Sequence, residues 1–165
     1  MHTGLCVCIF TAFIVGCFAN PIIVSTTIHP TWSSEIGMAS GKSNDHAVTI
    51  SHGELTKFTM VPGLEGDGTY SFEEFSIGGK FLRHSNFVLR LNKWEDTELF
   101  RSDASFHLLR GNCKKGYMLQ SYNYPTKAVM KVDNAIRLAD MPQDYDKDFC
   151  WIFSSQLAIE YTMVF

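Results

Sequence analysis

Two polar side chains stand among apolar ones in one stretch of this chain. His84 lies in Lys80-Phe81-Leu82-Arg83-His84-Ser85-Asn86-Phe87-Val88-Leu89-Arg90-Leu91. Asp103 follows nineteen residues later in Leu99-Phe100-Arg101-Ser102-Asp103-Ala104-Ser105-Phe106. A carboxylate accepts hydrogen bonds from two neighbouring hydroxyls at once, and bonds to a charged acceptor are the stronger kind. A neutral imidazole offers one donor and one acceptor, which matches a hydroxyl that does both. Such a pair suits a polyhydroxylated ligand, with Phe81, Phe87 or Phe106 as an apolar wall. By residue type alone, a plain His–Asp pair on a sheet surface describes the stretch equally and is the commoner arrangement.

Apolar residues alternate through both halves of the stretch, so each is expected as a half-buried strand. Similar short runs recur from Val48 onward, at Phe58 to Val61, Thr69 to Phe75, Ser105 to Leu109, Tyr117 to Tyr122, Ala128 to Val132 and Cys150 to Phe153. Gly, Asn, Asp and Pro separate them, and no segment sustains a helical period. Residues 20–47 read as extended segments and loop, punctuated by Pro21, Pro30, Gly37 and Gly41. The pattern is that of an all-β sandwich or barrel.

The chain also repeats itself. A shift of 47 carries Tyr70 to Tyr117, Phe72 to Leu119, Lys80 to Lys127, Leu89 to Ile136 and Leu91 to Leu138. After a two-residue deletion, a shift of 45 carries Asp103 to Asp148 and Phe106 to Trp151. A shift back of 48 carries Phe106 to Phe58 and Gly111 to Gly63. Three units follow, 24–62, 63–110 and 111–157, with the first the most degenerate. Three units are too few for a propeller, whereas a closed β-trefoil fits them and hides its strand edges. The apolar residues 159–165 would add a closing strand or continue past the repeat.

The block Gly79-Lys80-Phe81-Leu82-Arg83-His84, then Asn86-Phe87-Val88-Leu89-Arg90-Leu91, with Leu99-Phe100-Arg101 and Asp103-Ala104-Ser105-Phe106 downstream, resembles the arabinose-binding domain of α-L-arabinofuranosidase B. That family is a β-trefoil carbohydrate-binding module. Val61-Pro62-Gly63-Leu64, Tyr70-Ser71-Phe72-Glu73 and the run from Gln120 to Lys127 agree with it. The resemblance is closest over 58–110 and extends more loosely over 111–155. It implies a pocket for one arabinofuranosyl side chain, with His84 and Asp103 bonding sugar hydroxyls and the backbone of Ser85, Asn86 and Phe87 forming the rim.

The other units depart from this pattern. In the third, Asp148 holds the acid's place but Lys131 replaces the histidine; lysine donates and cannot accept. A weaker second pocket or, preferably, a Lys131–Asp148 ion pair is expected there. In the first, Leu55 stands where the acid belongs, and His46 and His52 are off the pattern. Glu73 and Glu74 are adjacent and point to opposite faces of a strand, so they do not form an acid–base pair. Asp144, Asp146 and Asp148 alternate, but a calcium ion needs about six to eight oxygens, and a solvated loop is the expectation. Gly63, Gly66 and Gly68 form a turn without the Lys-Ser/Thr of a phosphate loop. Trp32, Trp94 and Trp151 read as core or loop anchors, with Trp94 in the polar loop Asn92 to Glu98 the best candidate for a sugar platform.

The chain has 165 residues, 45% hydrophobic and 19% charged, with net charge −3. That balance is globular and makes no electrostatic case for nucleic acid or an anionic membrane. Leu5 to Phe18 is apolar, too short to span a bilayer, and ends at Cys17-Phe18-Ala19, as a secretory signal does. Cleavage after Ala19 leaves 146 residues, enough for one domain over 20–165. Cys113 and Cys150 remain, and two cysteines in a secreted chain most simply form one disulfide. Zinc ligands at motif spacing are missing, and no cofactor is expected.

The expectation is therefore a secreted, monomeric, non-catalytic module whose partner is an arabinofuranosyl-containing glycan, with no membrane association after signal cleavage. A glycosidase needs two facing carboxylates, and none is recognisable. Two alternatives are a secreted trefoil that has lost sugar binding and now binds protein, and residual arabinofuranosidase activity inherited with the domain.

Overall fold

The structure, a computed structural model, describes residues 23–41, 46–66 and 68–158. The expected signal segment and the apolar residues 159–165 lie outside them. Twelve strands are found among the described residues: β1 (Ile23–Pro30), β2 (Gly37–Ser40), β3 (Val48–Ser51), β4 (Phe58–Pro62), β5 (Tyr70–Glu74), β6 (Lys80–Ser85), β7 (Val88–Lys93), β8 (Phe106–Leu109), β9 (Met118–Ser121), β10 (Lys127–Val132), β11 (Ala135–Asp140) and β12 (Trp151–Ala158). The chain is all-β, as expected. Even the Pro- and Gly-punctuated region before Val48 contains two strands, β1 and β2.

The pairings are antiparallel and form a circuit. β12 pairs β1, β1 pairs β4, β4 pairs β5, β5 pairs β8 and β8 pairs β9. A bridge between Tyr117 and Trp151 joins β9 back to β12. That bridge needs Gly116: its φ is +73°, and a Cβ there would lie 2.1 Å from the Trp151 carbonyl oxygen. Only glycine allows the two backbones so close.

The remaining six strands are three hairpins, β2–β3, β6–β7 and β10–β11. β6–β7 pairs Leu82 with Leu91, and β10–β11 pairs Val129 with Leu138, each partner displaced by 47 positions. The hairpins bond one another in a cycle. Leu91 N–H donates to the His46 carbonyl (3.0 Å), Leu138 N–H to that of Phe87 (2.8 Å), and Ile50 N–H to that of Asn134 (3.1 Å).

The core collects the apolar side of every strand. Phe58, Phe106 and Trp151, three residues aligned by the sequence repeat, are all fully buried. The Phe72 ring touches Phe58 edge-on at 6.4 Å and stacks on Phe153 at 5.6 Å. Trp151 donates its indole N–H to the Val129 carbonyl at 3.0 Å, so its polar atom is satisfied inside the core. Cys113 and Cys150 form the expected disulfide, Cα to Cα 5.7 Å, which ties the loop after β8 to the start of β12.

One expectation fails. Leu99 to Asp103 is not a strand but lies in a short helix, α1 (Glu98–Asp103). Thr97 caps it, its hydroxyl accepting from Phe100 N–H at 3.1 Å, and Glu98 sits in the first turn where the helix dipole favours it. Phe100 and Asp103, three apart, turn inward together, and Ala104 follows them. In so short a segment, alternation and helical spacing select nearly the same residues, and the cap decides.

Candidate functional site

The sheet-to-sheet contacts above bring three segments to one point. β6 carries His84 there. The C-terminal end of α1 carries Asp103. The loop between β9 and β10 carries Asn123 and Tyr124. His84 and Asp103 are 3% and 5% exposed, so both are polar groups inside the protein wall and must find partners.

They find each other and Asn123. His84 Nε2 lies 3.2 Å from Asp103 Oδ1 and 2.9 Å from Asn123 Oδ1. Asn123 Nδ2 donates to Asp103 Oδ1 at 2.8 Å, and Ser121 Oγ donates to Asn123 Oδ1 at 2.8 Å. Asn123 Oδ1 can only accept, which places the imidazole proton on Nε2. In the neutral imidazole Nδ1 is then an acceptor, and none of the described residues bonds it. Asp103 Oδ2 likewise takes no hydrogen bond from the described residues; its nearest charge is Arg83 Nη1 at 3.7 Å. Arg83 is itself held, with Nε donating to Asn92 Oδ1 at 3.0 Å and the guanidinium 5.1 Å over the Phe100 ring. The cluster thus leaves His84 Nδ1 and Asp103 Oδ2 without a hydrogen-bond partner among the described residues.

An aromatic rim stands beside it. The tight turn from β6 to β7 puts Asn86 and Phe87 at φ 51° and 61°. Positive φ at both central residues matches the twist of a two-residue hairpin, but it strains a phenylalanine by about 1–3 kcal/mol. The turn aims the Phe87 ring outward, 41% exposed and parallel to His84 at 6.3 Å. Tyr124, 40% exposed, lies edge-on to both, 5.4 Å from His84 and 5.0 Å from Phe87. Lys127 Nζ sits 5.5 Å over the Phe87 ring. Ser85, Asn86 and Phe87 therefore lie beside the cluster, on the β6–β7 turn. Phe81 and Phe106, the other two candidate walls, are buried in the core instead, because their strand positions face inward.

The sequence assigns no role to Ser121, Asn123 and Tyr124. Its only signal there is the agreement of Gln120 to Lys127 with the resembled family. Nothing local says that a loop of one unit completes the site of the unit before it.

The places matching His84 and Asp103 in the other units differ. No ion pair joins Lys131 to Asp148. Lys131 Nζ instead lies 5.6 Å over the Trp32 ring, and Asp148 Oδ1 is buried with no hydrogen-bond partner among the described residues. Among the described residues, Leu55 and His52 belong to no polar cluster, and His46 accepts from Leu91 N–H through its backbone carbonyl. Glu73 accepts from Gly79 N–H at 2.6 Å while Glu74 reaches Lys80 at 3.7 Å, so the adjacent acids do part to different neighbours. Asp146 caps the 3-10 turn Lys147–Phe149. Trp151 is core, and Trp32 and Trp94 are exposed.

Comparison with known proteins decides the family. Residues 34–153 match the alpha-L-arabinofuranosidase B (ABFB) domain. The chain belongs to the ABFB domain family. A probable alpha-L-arabinofuranosidase B of Aspergillus clavatus is 32% identical over 109 residues, which is 61% of this chain and 22% of that protein. The alpha-L-arabinofuranosidase B of Penicillium canescens is 31% identical over 104 residues, 58% of this chain and 22% of that protein. The chain thus spans about a fifth of the length of these curated relatives. Among solved structures, an arabinofuranosidase complexed with arabinofuranosyl-alpha-1,2-xylobiose superposes with a TM-score of 0.65 at 22% identity, over 79% of this chain and 30% of that one. The Haemophilus ducreyi cytolethal distending toxin shares the fold at a TM-score of 0.62 and 13% identity, over 85% of this chain and 87% of that one. The ABFB fold is therefore found in proteins of unlike activity, and function must be read from the site.

Proposed function

We propose that this ABFB domain is a secreted, non-catalytic β-trefoil module, spanning residues 20–165, that binds arabinofuranosyl side chains of a hemicellulose at His84 and Asp103. The observation that carries the reading is the convergence of His84 and Asp103 beside the exposed rings of Phe87 and Tyr124. Asp103 Oδ2 accepts from one sugar hydroxyl and His84 Nδ1 from a second, while the furanose carbon face lies on the aromatic rim. The trefoil assignment is supported by the circuit of six paired strands, the three hairpins bonded in a cycle, and the 47-residue displacement shared by two of them. Units of roughly 24–62, 63–110 and 111–157 follow that division. Secretion is supported by the apolar leader and by the disulfide, which forms in oxidising compartments.

Binding without hydrolysis is supported by the cluster's having one carboxylate among the described residues, since glycoside hydrolysis uses two carboxyl groups about 5–10 Å apart. A furanose has about ten heavy atoms, which at about 0.3–0.5 kcal/mol each gives about 3–5 kcal/mol, a dissociation constant near millimolar. The test is affinity electrophoresis of wild type and Asp103→Ala through arabinoxylan. Retardation of wild type alone is expected. Equal mobility of both would remove the reading, and release of arabinose from an aryl arabinofuranoside would overturn its non-catalytic part.

One observation favours a second reading. Asn123 already occupies Asp103 Oδ1 and His84 Nε2, as in a site closed for good. The domain would then be a protein-interaction module on a retained trefoil. A glycan array without a single wild-type signal, together with a protein recovered by pull-down, would establish it.

A further inference from the structure

His84 Nδ1 and Asp103 Oδ2 both accept hydrogen bonds. A sugar hydroxyl that donates to either still carries lone pairs, and acceptors alone leave its oxygen without a donor once water is displaced. Arg83 is the donor at hand. Its Nη1 lies 3.7 Å from Asp103 Oδ2, and its side chain is 18% exposed. That separation is too long for a hydrogen bond. The guanidinium is held there by two other elements: Nε–H donates to Asn92 Oδ1 on β7 at 3.0 Å, and the group lies 5.1 Å over the Phe100 ring of α1. An arginine that served only to neutralise Asp103 would close to contact, where a charge-assisted bond is strongest. The repeat bears on this as well. A shift of 47 puts Met130 at the place of Arg83 and Ala139 at that of Asn92, and both pack against the apolar cluster of Met118 and Phe149. One unit back, the place of Arg83 is Ile36, 4% exposed. Arginine therefore stands only in the unit that has the histidine. Asp148 keeps its place in the third unit without such an arginine, so the fold does not need one to hold that carboxylate.

We propose that Arg83 is a sugar-binding, specificity-determining residue: one hydroxyl of the arabinofuranosyl group bridges Arg83 Nη1 and Asp103 Oδ2, accepting from the first and donating to the second. The inference rests on the carbohydrate-binding reading given above. An oxygen about 2.8 Å from each atom spans the 3.7 Å gap. Asn92 is a positioning residue, since by engaging Nε it keeps the guanidinium from closing on Oδ2. The bridge selects a free hydroxyl. An alkylated oxygen accepts from Arg83 but has no proton for Asp103, and a deoxy carbon does neither.

The test titrates methyl α-L-arabinofuranoside and its 2-, 3- and 5-deoxy analogues into the disulfide-intact chain, with binding read from backbone amide shifts in ¹⁵N-edited NMR. Wild type is expected to bind one analogue at least about ten-fold more weakly than the parent sugar, as loss of a hydrogen bond to charged groups would give. Arg83→Met, the residue found at the matching place one unit on, should weaken the parent about ten-fold. It should bind that one analogue as wild type does, because the hydroxyl that Arg83 serves is already gone. The same analogue should erase the penalty of Asp103→Asn. Asn92→Ala should weaken the parent without lowering the urea midpoint, since the freed guanidinium closes on Oδ2. Wild type that binds none of these sugars removes the carbohydrate reading itself. Wild type that binds them, with Arg83→Met losing nothing or losing equally for the parent and every analogue, overturns the role of Arg83 alone. Unchanged affinity in Asn92→Ala overturns the positioning role of Asn92.

Discussion

His84 Nε2 and Asp103 Oδ1 lie 3.2 Å apart, although a hairpin, a loop and a helix separate them in the chain. The pair does not stand alone. Asn123 bonds both members, so the imidazole tautomer and the carboxylate position are set by a residue from a different strand pair. A cluster in which each group orients the next keeps its geometry at low entropic cost when a ligand arrives.

The first prediction concerns that third member. Asn123→Ala removes one acceptor from His84 Nε2 and the amide donor from Asp103 Oδ1 inside the wall of the protein, leaving the two groups to each other at 3.2 Å and to Ser121. Urea denaturation should register a loss of about 1–3 kcal/mol. Retardation by arabinoxylan should weaken as well, because the pair loses its orientation. Stronger retardation would instead identify Asn123 as a plug and favour the protein-interaction reading.

Phe87 offers a separation of binding from stability. Its φ of 61° suits glycine, so Phe87→Gly relieves strain while removing a half-exposed ring that contributes little to the core. The melting temperature should stay within a few degrees of wild type. Affinity for an arabinofuranosyl ligand should fall about two- to twelve-fold, the value of about 0.5–1.5 kcal/mol for one aromatic contact. Unchanged affinity would take Phe87 out of the binding rim.

The disulfide should matter for stability and not for the site. It closes a loop of sequence separation 37, for which chain entropy gives about 3–4 kcal/mol. Replacing Cys113 and Cys150 together by serine should lower the urea midpoint accordingly. Under conditions where the variant is still folded, retention on arabinoxylan should match wild type, since Cys113 and Cys150 lie in a separate apolar cluster with Met118 and Phe149. Lost retention in the folded variant would show that the two regions are coupled.

Much of this protein is legible in its residues. Alternation marks the strands, and Phe58, Phe106 and Trp151, aligned by the repeat, are all core. His84 and Asp103 are paired by the residue block that carries them and by their nineteen-residue spacing. The helix Glu98–Asp103 is less legible, because Phe100 and Asp103 suit either an inward helix face or an uneven strand. Thr97 with Glu98 is the one cue that favours the helix.

Residue order and type alone establish which positions are apolar at strand spacing, where the units repeat, and which polar types recur at equivalent places. Those are properties of each unit taken singly. That Asn123 completes the His84–Asp103 pair, and that Trp32 sits under Lys131 and Lys147, emerges only in three dimensions. Both arrangements join segments far apart in the chain. Strand pairing and hairpin packing, not any local pattern, bring those segments within hydrogen-bond or ring-contact distance.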